Sequence, residues 1–557
     1  MGHARITSIF LAAAMFAVAG CGGSSESRSA VKRVLFTGPR FWTGDPERAW
    51  ADGLLVERGR IVEVVDQGRM ARVAVGARVH QLPGELAIPG LVDAHAHLLG
   101  FGLASRQAQL VGSASLEDTL SRVESFAREH PDDPWLLGRG WDQNDWPTPR
   151  WPDADQLERA AAGRPAALRR VDGHALWVNR TALTRAGIDE RTADPPGGAI
   201  HRDATGRPTG ILIDNAMELV TQLIPEPTDE MLDQALEQAG RALAALGLTG
   251  VHDMGMDERT WTALTRLAAR GHFPLRVVAY ADEQDPLRDE LEQDGPQRSG
   301  RLLLAGVKIY ADGALGSRGA RLLAPYRDAP ETRGLWITPP EQLAERIDRL
   351  AAAGLQPAIH AIGDAANRAV LDAYEKTARA HETFRELRPR LEHAQILSPS
   401  DIPRLAAVGA IASMQPAHAT SDMPWAGDRV GIERLAGAYA WRSLLAAGAR
   451  LAFGSDFPVE SADPRSGLYA AVTRQDSRGQ PPKGWSATER LTLGEAIEAF
   501  SHGAAHAARE ENARGRLVPG AWCDVTVFAR DLFELPPVDI LTTPVSTTVV
   551  EGQIVFP

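Results

Sequence analysis

The chain has 557 residues, 44% of them hydrophobic and 24% charged. That is enough for one large barrel with additions, or for roughly three to four units of ~150 residues. Its net charge of −12 is spread along the chain without a basic tract, which argues against a nucleic-acid partner. Aromatic residues are few, but 13 are tryptophan. Several fall between Trp135 and Trp177, where they line an apolar pocket or form core.

The N-terminus reads as a targeting segment over residues 1–20. Arg5 precedes the uncharged, apolar run from Ile6 to Gly20, shorter than the ~20 residues of a membrane span. The run ends VAGC, which resembles the lipobox of bacterial lipoproteins. The resemblance implies a lipid on Cys21 and a place in the bacterial cell envelope. Gly22 resembles the outer-membrane-sorted kind, held on the periplasmic face. A plain secretory signal is the competing reading. Residues 21–30, with GGSSESRS, read as a flexible tether. Only Cys523 remains as a second cysteine, so an internal disulfide in the processed chain is excluded and the fold depends on its core.

From Val31 to Leu86, VKRVLFTG, GLLVERGRIVEVV and ARVHQLPG read as strands of a small β unit. RGRLVPGAWCDVTVFAR and STTVVEGQIVFP at the other end look alike. Residues 31–86 and 508–557 are therefore expected to form one composite β domain. Residues 87–507 alternate strand-like and helix-like stretches, which points to parallel α/β architecture. The strand candidates are LVDAHAH, LTGVHDMG, PLRVVAYA, LAGVKIYADG, LQPAIHAIGD, PRLEHAQ, GAIASMQPAH and RLAFGSDFP. EQLAERIDRLAAAG repeats Leu343, Ile347 and Leu350 at helical spacing, and a second helix is expected to be capped by Asp364. Eight strands with helices between them is the count of a (β/α)8 TIM barrel. About 150 residues separate the first two strands, far more than a βα loop needs. An inserted α/β subdomain over about 102–243 is expected there.

His95 and His97 stand two apart in LVDAHAH, so on a strand both imidazoles face one point. Alone the pair means little, because 15 histidines in 557 residues yield an H-x-H by chance about 0.4 times per chain. Chemistry in a TIM barrel sits at the C-terminal strand ends, however, and that is where polar residues interrupt the other strands. They are Lys308, His360, His393 and Asp456. Each alone reads as a satisfied core histidine, a salt-bridged lysine or a turn aspartate. On ordered strands of one barrel, the six together read as a metal centre. His252, Gln415 and His418 also fall at strand ends and rank below this set.

PGLVDAHAH, VKIYADGALGSRGA, AIHAIGD, LEHAQ and GSDFPV together resemble the amidohydrolase superfamily. Within it they are similar to the branch of YtcJ-like proteins and N-substituted formamide deformylases, amidohydrolase family 3. RLVPGAWCDVTVF is similar to the family's return to its β-sandwich, although Trp522-Cys523 stands where a small residue is usual. The resemblance covers nearly the whole chain after the tether. It implies one or two divalent metal ions, zinc being the expected one. His95 and His97 would hold one ion with Asp456, and His360 and His393 the second. Lys308 would bridge them as a carbamate; the alternative is an unmodified lysine that binds substrate beside a single ion. The reaction implied is hydrolysis of a non-peptide C–N bond of an amide or formamide by a metal-activated hydroxide, with Asp456 as general base and acid. Hydrolysis of lactones, cyclic amides or dipeptides, or a non-catalytic lipid-anchored binding protein, are the rival readings.

Substrate contacts are expected from five residues. Asp312 and Arg318 lie in the glycine-rich ADGALGSRGA, where the competing reading is an ion pair that shapes the loop. His174, in RVDGHALWVN, would hydrogen-bond a substrate carbonyl or oxyanion unless it is a buried histidine that anchors the insert. Trp141 and Asp142, in GWDQNDW, would cap the pocket unless they form insert core. The expected partners are a small-molecule amide, the membrane through Cys21 and a second copy of the chain in a homodimer.

Overall fold

The computed structural model describes residues 33–557. The targeting segment, Cys21 and the tether lie outside the described residues. Eight strands form an all-parallel sheet in chain order: Leu91–Ala96, Leu248–Met256, Arg276–Asp282, Leu302–Tyr310, Gln356–Ala361, Arg390–His393, Ile411–Met414 and Arg450–Phe453. A parallel bridge between Ala96 and Phe457, just past the eighth strand, closes the ring. The strands are nearly continuous runs of buried residues, as a sheet covered on both faces requires. The fold is a TIM barrel with an additional β domain.

The helices follow from their spacing. In Pro340–Ala352, Leu343, Ile347 and Leu350 are buried on one face. Helix Asp364–Ala380 begins one residue earlier than a cap at Asp364 would place it. Gly363 occupies the cap position, because the Asp364 carboxylate accepts the Leu323 N–H instead, at 2.8 Å.

Both termini enter one β domain. Leu86–Pro89 pairs antiparallel with Val525–Phe528, so the N-terminal part of the domain runs to Pro89, past the expected boundary at residue 86. The sheet curls on itself: Ile61 and Val549, far apart in strand order, share one core with Phe41 and Cys523. Arg276 of the barrel forms a buried ion pair with Asp524, at 2.7 Å, tying the two domains together.

The insert carries its own six-stranded sheet, from Ala108–Gln109 to Pro208–Asp214. It is shorter than expected at its C-terminal end. Helix Asp229–Ala245 presents Leu232, Leu236 and Leu243 to the barrel core, so it is the helix that leads into the second barrel strand. Four tryptophans gather in the insert: Trp141 lies 6.3, 6.1 and 5.9 Å from Trp146, Trp151 and Trp177, centroid to centroid.

Candidate metal centre

Parallel register brings the polar strand ends together. Tyr310 pairs with His360, and Ala361 with His393. The His95 and His393 rings lie 4.6 Å apart, and the His393 and His360 rings 4.5 Å apart. Asp456, three residues past the eighth strand, sits between two sets of nitrogens. Its Oδ1 is 3.1 Å from His97 Nε2 and 3.6 Å from His95 Nε2. Its Oδ2 is 3.7 Å from His418 Nε2. Two compact groups result, His95–His97–Asp456 and His393–His418–Asp456. Both His393 and Asp456 sit at positive φ, 71° and 62°. Such conformations cost ~1–3 kcal/mol each and persist where the surrounding structure imposes them, typically at functional sites.

The nitrogens are oriented from behind. His95 Nδ1 lies 2.6 Å from Glu392 Oε2. Glu392 is fully buried and paired with Arg390. Burial opposes its ionisation, but Arg390 and His95 outweigh that and hold the carboxyl well below its usual range. An ionised carboxylate only accepts, so the proton is on Nδ1 and the Nε2 lone pair faces the cluster. Arg390 also donates to Ala94 O, Ser413 Oγ, Tyr280 Oη and His252 Nδ1, which leaves its buried charge fully satisfied. On the far side, His393 Nδ1 contacts Gln415 Oε1 at 2.9 Å.

The ionisation states suit cation binding. Burial lowers His95 to about 4, with Lys308 adding to the effect. Burial likewise pushes His360 and His393 down. These imidazoles are neutral, as ligands must be. Burial also works against the Asp456 carboxylate, but His95, His97 and His418 more than offset it and keep Asp456 ionised. The Nε2 atoms of His360 and His418 are buried without a hydrogen-bond partner among the described residues. An unpaired buried polar atom costs ~1–3 kcal/mol, and a divalent cation would satisfy both. A donor set of imidazoles with one carboxylate fits zinc better than an all-oxygen cation such as magnesium or calcium. Lys308 Nζ lies 3.3 Å from His95 Nε2, and burial lowers its ammonium to about 8. The neutral amine needed for a carbamate is thereby within reach.

The structure brings together all six residues expected in the centre and adds His418. His360 touches the second group through His393 but turns its Nε2 towards Asp312, 3.7 Å away. The expected substrate set is dispersed. His174 is at the cavity, its ring 5.0 Å from that of His360 and its Nδ1 2.6 Å from Asp214 Oδ1. Burial works against its imidazolium, but the Asp214 carboxylate outweighs this and raises the pKa. Asp142 lines the cavity while paired with Arg170. Trp141 is insert core: it is fully buried, its indole N–H donating to Leu168 O at 2.8 Å.

Neither Asp312 nor Arg318 lines the cavity at the cluster. Asp312 accepts the backbone N–H groups of Arg321, Ile362 and Gly363, which makes it a brace between loops. Arg318 pairs with Asp328 rather than Asp312. The glycine-rich loop itself lines the cavity through Ala314, Leu315 and Gly316, and its glycines let it pack closely on the insert. A Cβ on Gly313 would meet the Asp214 carboxylate at 2.4 Å, and one on Gly316 the Arg170 guanidinium at 2.8 Å. Of the residues that sequence reading passed over, Glu392 had a visible signal: a carboxylate beside His393 in a strand otherwise apolar at its centre.

A family model described as the amidohydrolase family matches residues 78–556. YtcJ of Bacillus subtilis (strain 168) is 35% identical over 482 residues, 85% of this chain and 90% of that protein. The N-substituted formamide deformylase of Arthrobacter pascens is 28% identical over 530 residues, 92% of this chain and 96% of that enzyme. Among solved structures, an uncharacterized metal-dependent hydrolase from Pyrococcus horikoshii OT3 superposes with a TM-score of 0.74 at 27% identity. That match covers 91% of this chain and 99% of the other.

Proposed function

The chain belongs to the amidohydrolase family, a hydrolase of carbon–nitrogen bonds, and on that premise we propose that it cleaves small non-peptide amides, formamides first among them, at a metal centre. The observation that carries this reading is Asp456, kept ionised with one oxygen towards each histidine group. His95, His97, His360, His393, His418 and Asp456 would hold the metal. Lys308, as a carbamate, would add two anionic oxygens. A divalent ion there supplies Lewis acidity and acidifies water.

The protein's own groups do the rest. Asp456, next to the attacking water, takes its proton and returns it to the leaving nitrogen. His174, whose protonated form Asp214 favours, donates to the carbonyl oxygen as negative charge grows on it. Glu392 keeps His95 in the tautomer that binds. The similarity to the Arthrobacter pascens deformylase favours a formamide over a lactone or dipeptide.

The test is metal analysis of the purified protein together with a hydrolysis panel of formamides, other amides, lactones and dipeptides. One or two zinc ions per chain and turnover of formamides are expected. A protein without metal, and without activity after zinc or manganese is added, would instead be a binding protein. Asp456→Asn should abolish turnover with the fold intact; turnover that survives refutes the role given to Asp456. The lipobox-like VAGC supports attachment to the cell envelope through Cys21. Cell fractionation after Cys21→Ala should release the protein, and unchanged membrane association would count against lipidation.

A further inference from the structure

The cavity that opens onto the cluster from the insert side has a volume of about 740 Å³ and is walled by Arg139 and Arg169. They stand on neighbouring parallel insert strands, Leu136–Trp141 and Ala166–Arg170, in direct register, so both side chains leave the same face of the sheet. Arg139 is 7% exposed, and its Nε is buried without a hydrogen-bond partner. Its remaining contact is a long one, 3.4 Å from Nη2 to Val171 O. Arg169 donates to Gly173 O at 3.2 Å. Among the described residues no carboxylate forms an ion pair with either.

Arg170, the next residue, shows what a structural arginine looks like here, since Asp142 and Asp172 both pair with it. Arg390 is likewise fully matched. A buried guanidinium without a directly paired carboxylate is costly, and such a cost is retained where a ligand repays it. Two guanidinium forks on one face suit a planar anion held through paired N–H donors.

We propose that Arg139 and Arg169 form a substrate-carboxylate subsite, so that the preferred substrates are amides whose substituent ends in a carboxylate, such as N-formyl amino acids. This rests on the hydrolase reading above. The subsite lies in the insert and the metal ligands lie in the barrel, so the insert selects the substrate that the barrel cleaves. The acidic residues of the same cavity act on the pair only through space: Asp456 and Asp172 favour the Arg139 cation and Glu218 the Arg169 cation without an ion pair, while Asp214 is engaged by His174, Asp172 by Arg170 and Asp456 by the cluster histidines. Glu218 and Asp282 also line it and pair with neither arginine.

The test compares N-formylglycine, N-formyl-β-alanine and N-formyl-4-aminobutyrate with their uncharged amides, because chain length sets the reach from cluster to subsite. In the metal-loaded wild type, the acid should exceed its amide in kcat/KM by tenfold or more at one chain length. Arg139→Gln and Arg169→Gln should each lower that acid-to-amide ratio about tenfold to a hundredfold. An acid-to-amide ratio near one at every length, or a ratio unmoved in both variants, overturns the proposal. Preference for N-formylaminomethylphosphonate over N-formylglycine overturns the carboxylate assignment.

Arg139→Met supplies a second readout. Removing an unpaired buried charge should leave the melting temperature unchanged or raised, and a marked fall would mean that Arg139 is structural. Binding of each acid and amide to metal-free wild-type protein, by calorimetry, reads the subsite even if none of these amides is hydrolysed. Failure of the hydrolase reading is thereby separated from failure of the subsite.

Discussion

Glu392 is wholly buried between Arg390 and His95, and Glu392→Gln keeps its shape while exchanging an acceptor for a donor. The amide oxygen can still accept from Arg390 Nε, now 2.6 Å from Oε1. The amide nitrogen then faces His95 Nδ1, now 2.6 Å from Oε2, and must donate to it. His95 would carry its proton on Nε2 and lose its lone pair towards the cluster. Outer partners of ligand histidines are worth about 10- to 100-fold in metal affinity, or ~1.4–2.7 kcal/mol. A forced change of tautomer belongs at the upper end. The buried Arg390 also loses its counter-charge, and breaking such a pair costs ~3–5 kcal/mol. The retained hydrogen bond places this case near the lower figure. The assay is zinc affinity by chelator competition, with circular dichroism confirming the fold, alongside melting of metal-loaded and chelated protein. Zinc affinity within twofold of wild type would refute the orientation argument.

Carbamate formation needs a neutral Lys308. Burial lowers that ammonium to about 8, so its neutral fraction grows as pH rises through 8 and falls below it. Metal-free protein given ¹³C-bicarbonate should show a carbamate signal that rises between pH 7 and 9 and vanishes in Lys308→Met; a signal that is absent or independent of pH refutes it. Trp141→Ala should destabilise the insert by ~3–5 kcal/mol, since the indole is fully buried and hydrogen-bonded. A melting temperature like that of wild type, with KM alone changed, would restore Trp141 as a pocket wall.

How much could be read without coordinates depended on the range of the interaction. The barrel strands announce themselves locally, because strands covered on both faces are apolar runs and a functional end breaks the run. LVDAHAH and PAIHA are of this kind, and so His95 and His360 were visible; His393 ends the mostly polar strand Arg390–His393 and was legible only through the set. His418 ranked below the set as one more polar strand end; the strand in fact stops at Met414, and His418 lies on the short helix Pro416–Asp422, where a histidine interrupts nothing. Only the fold turns it to within 3.7 Å of Asp456.

The insert shows the limit most plainly. Its presence follows from the gap between two strands, but its end does not, because Asp229–Ala245 looks the same whether it packs on the insert or on the barrel. The side chains of Trp141, Arg169 and Arg170 are equally suited to pocket or core. Chain composition and strand periodicity determined the α/β class, the strand count and most of the ligand types, since burial imposes those patterns residue by residue. Tertiary structure decided which charges are paired. Arg170 pairs with Asp142 and Asp172 while its neighbour Arg169 pairs with no carboxylate among the described residues, because successive residues on a strand face opposite ways and only the packed neighbours determine what each side finds.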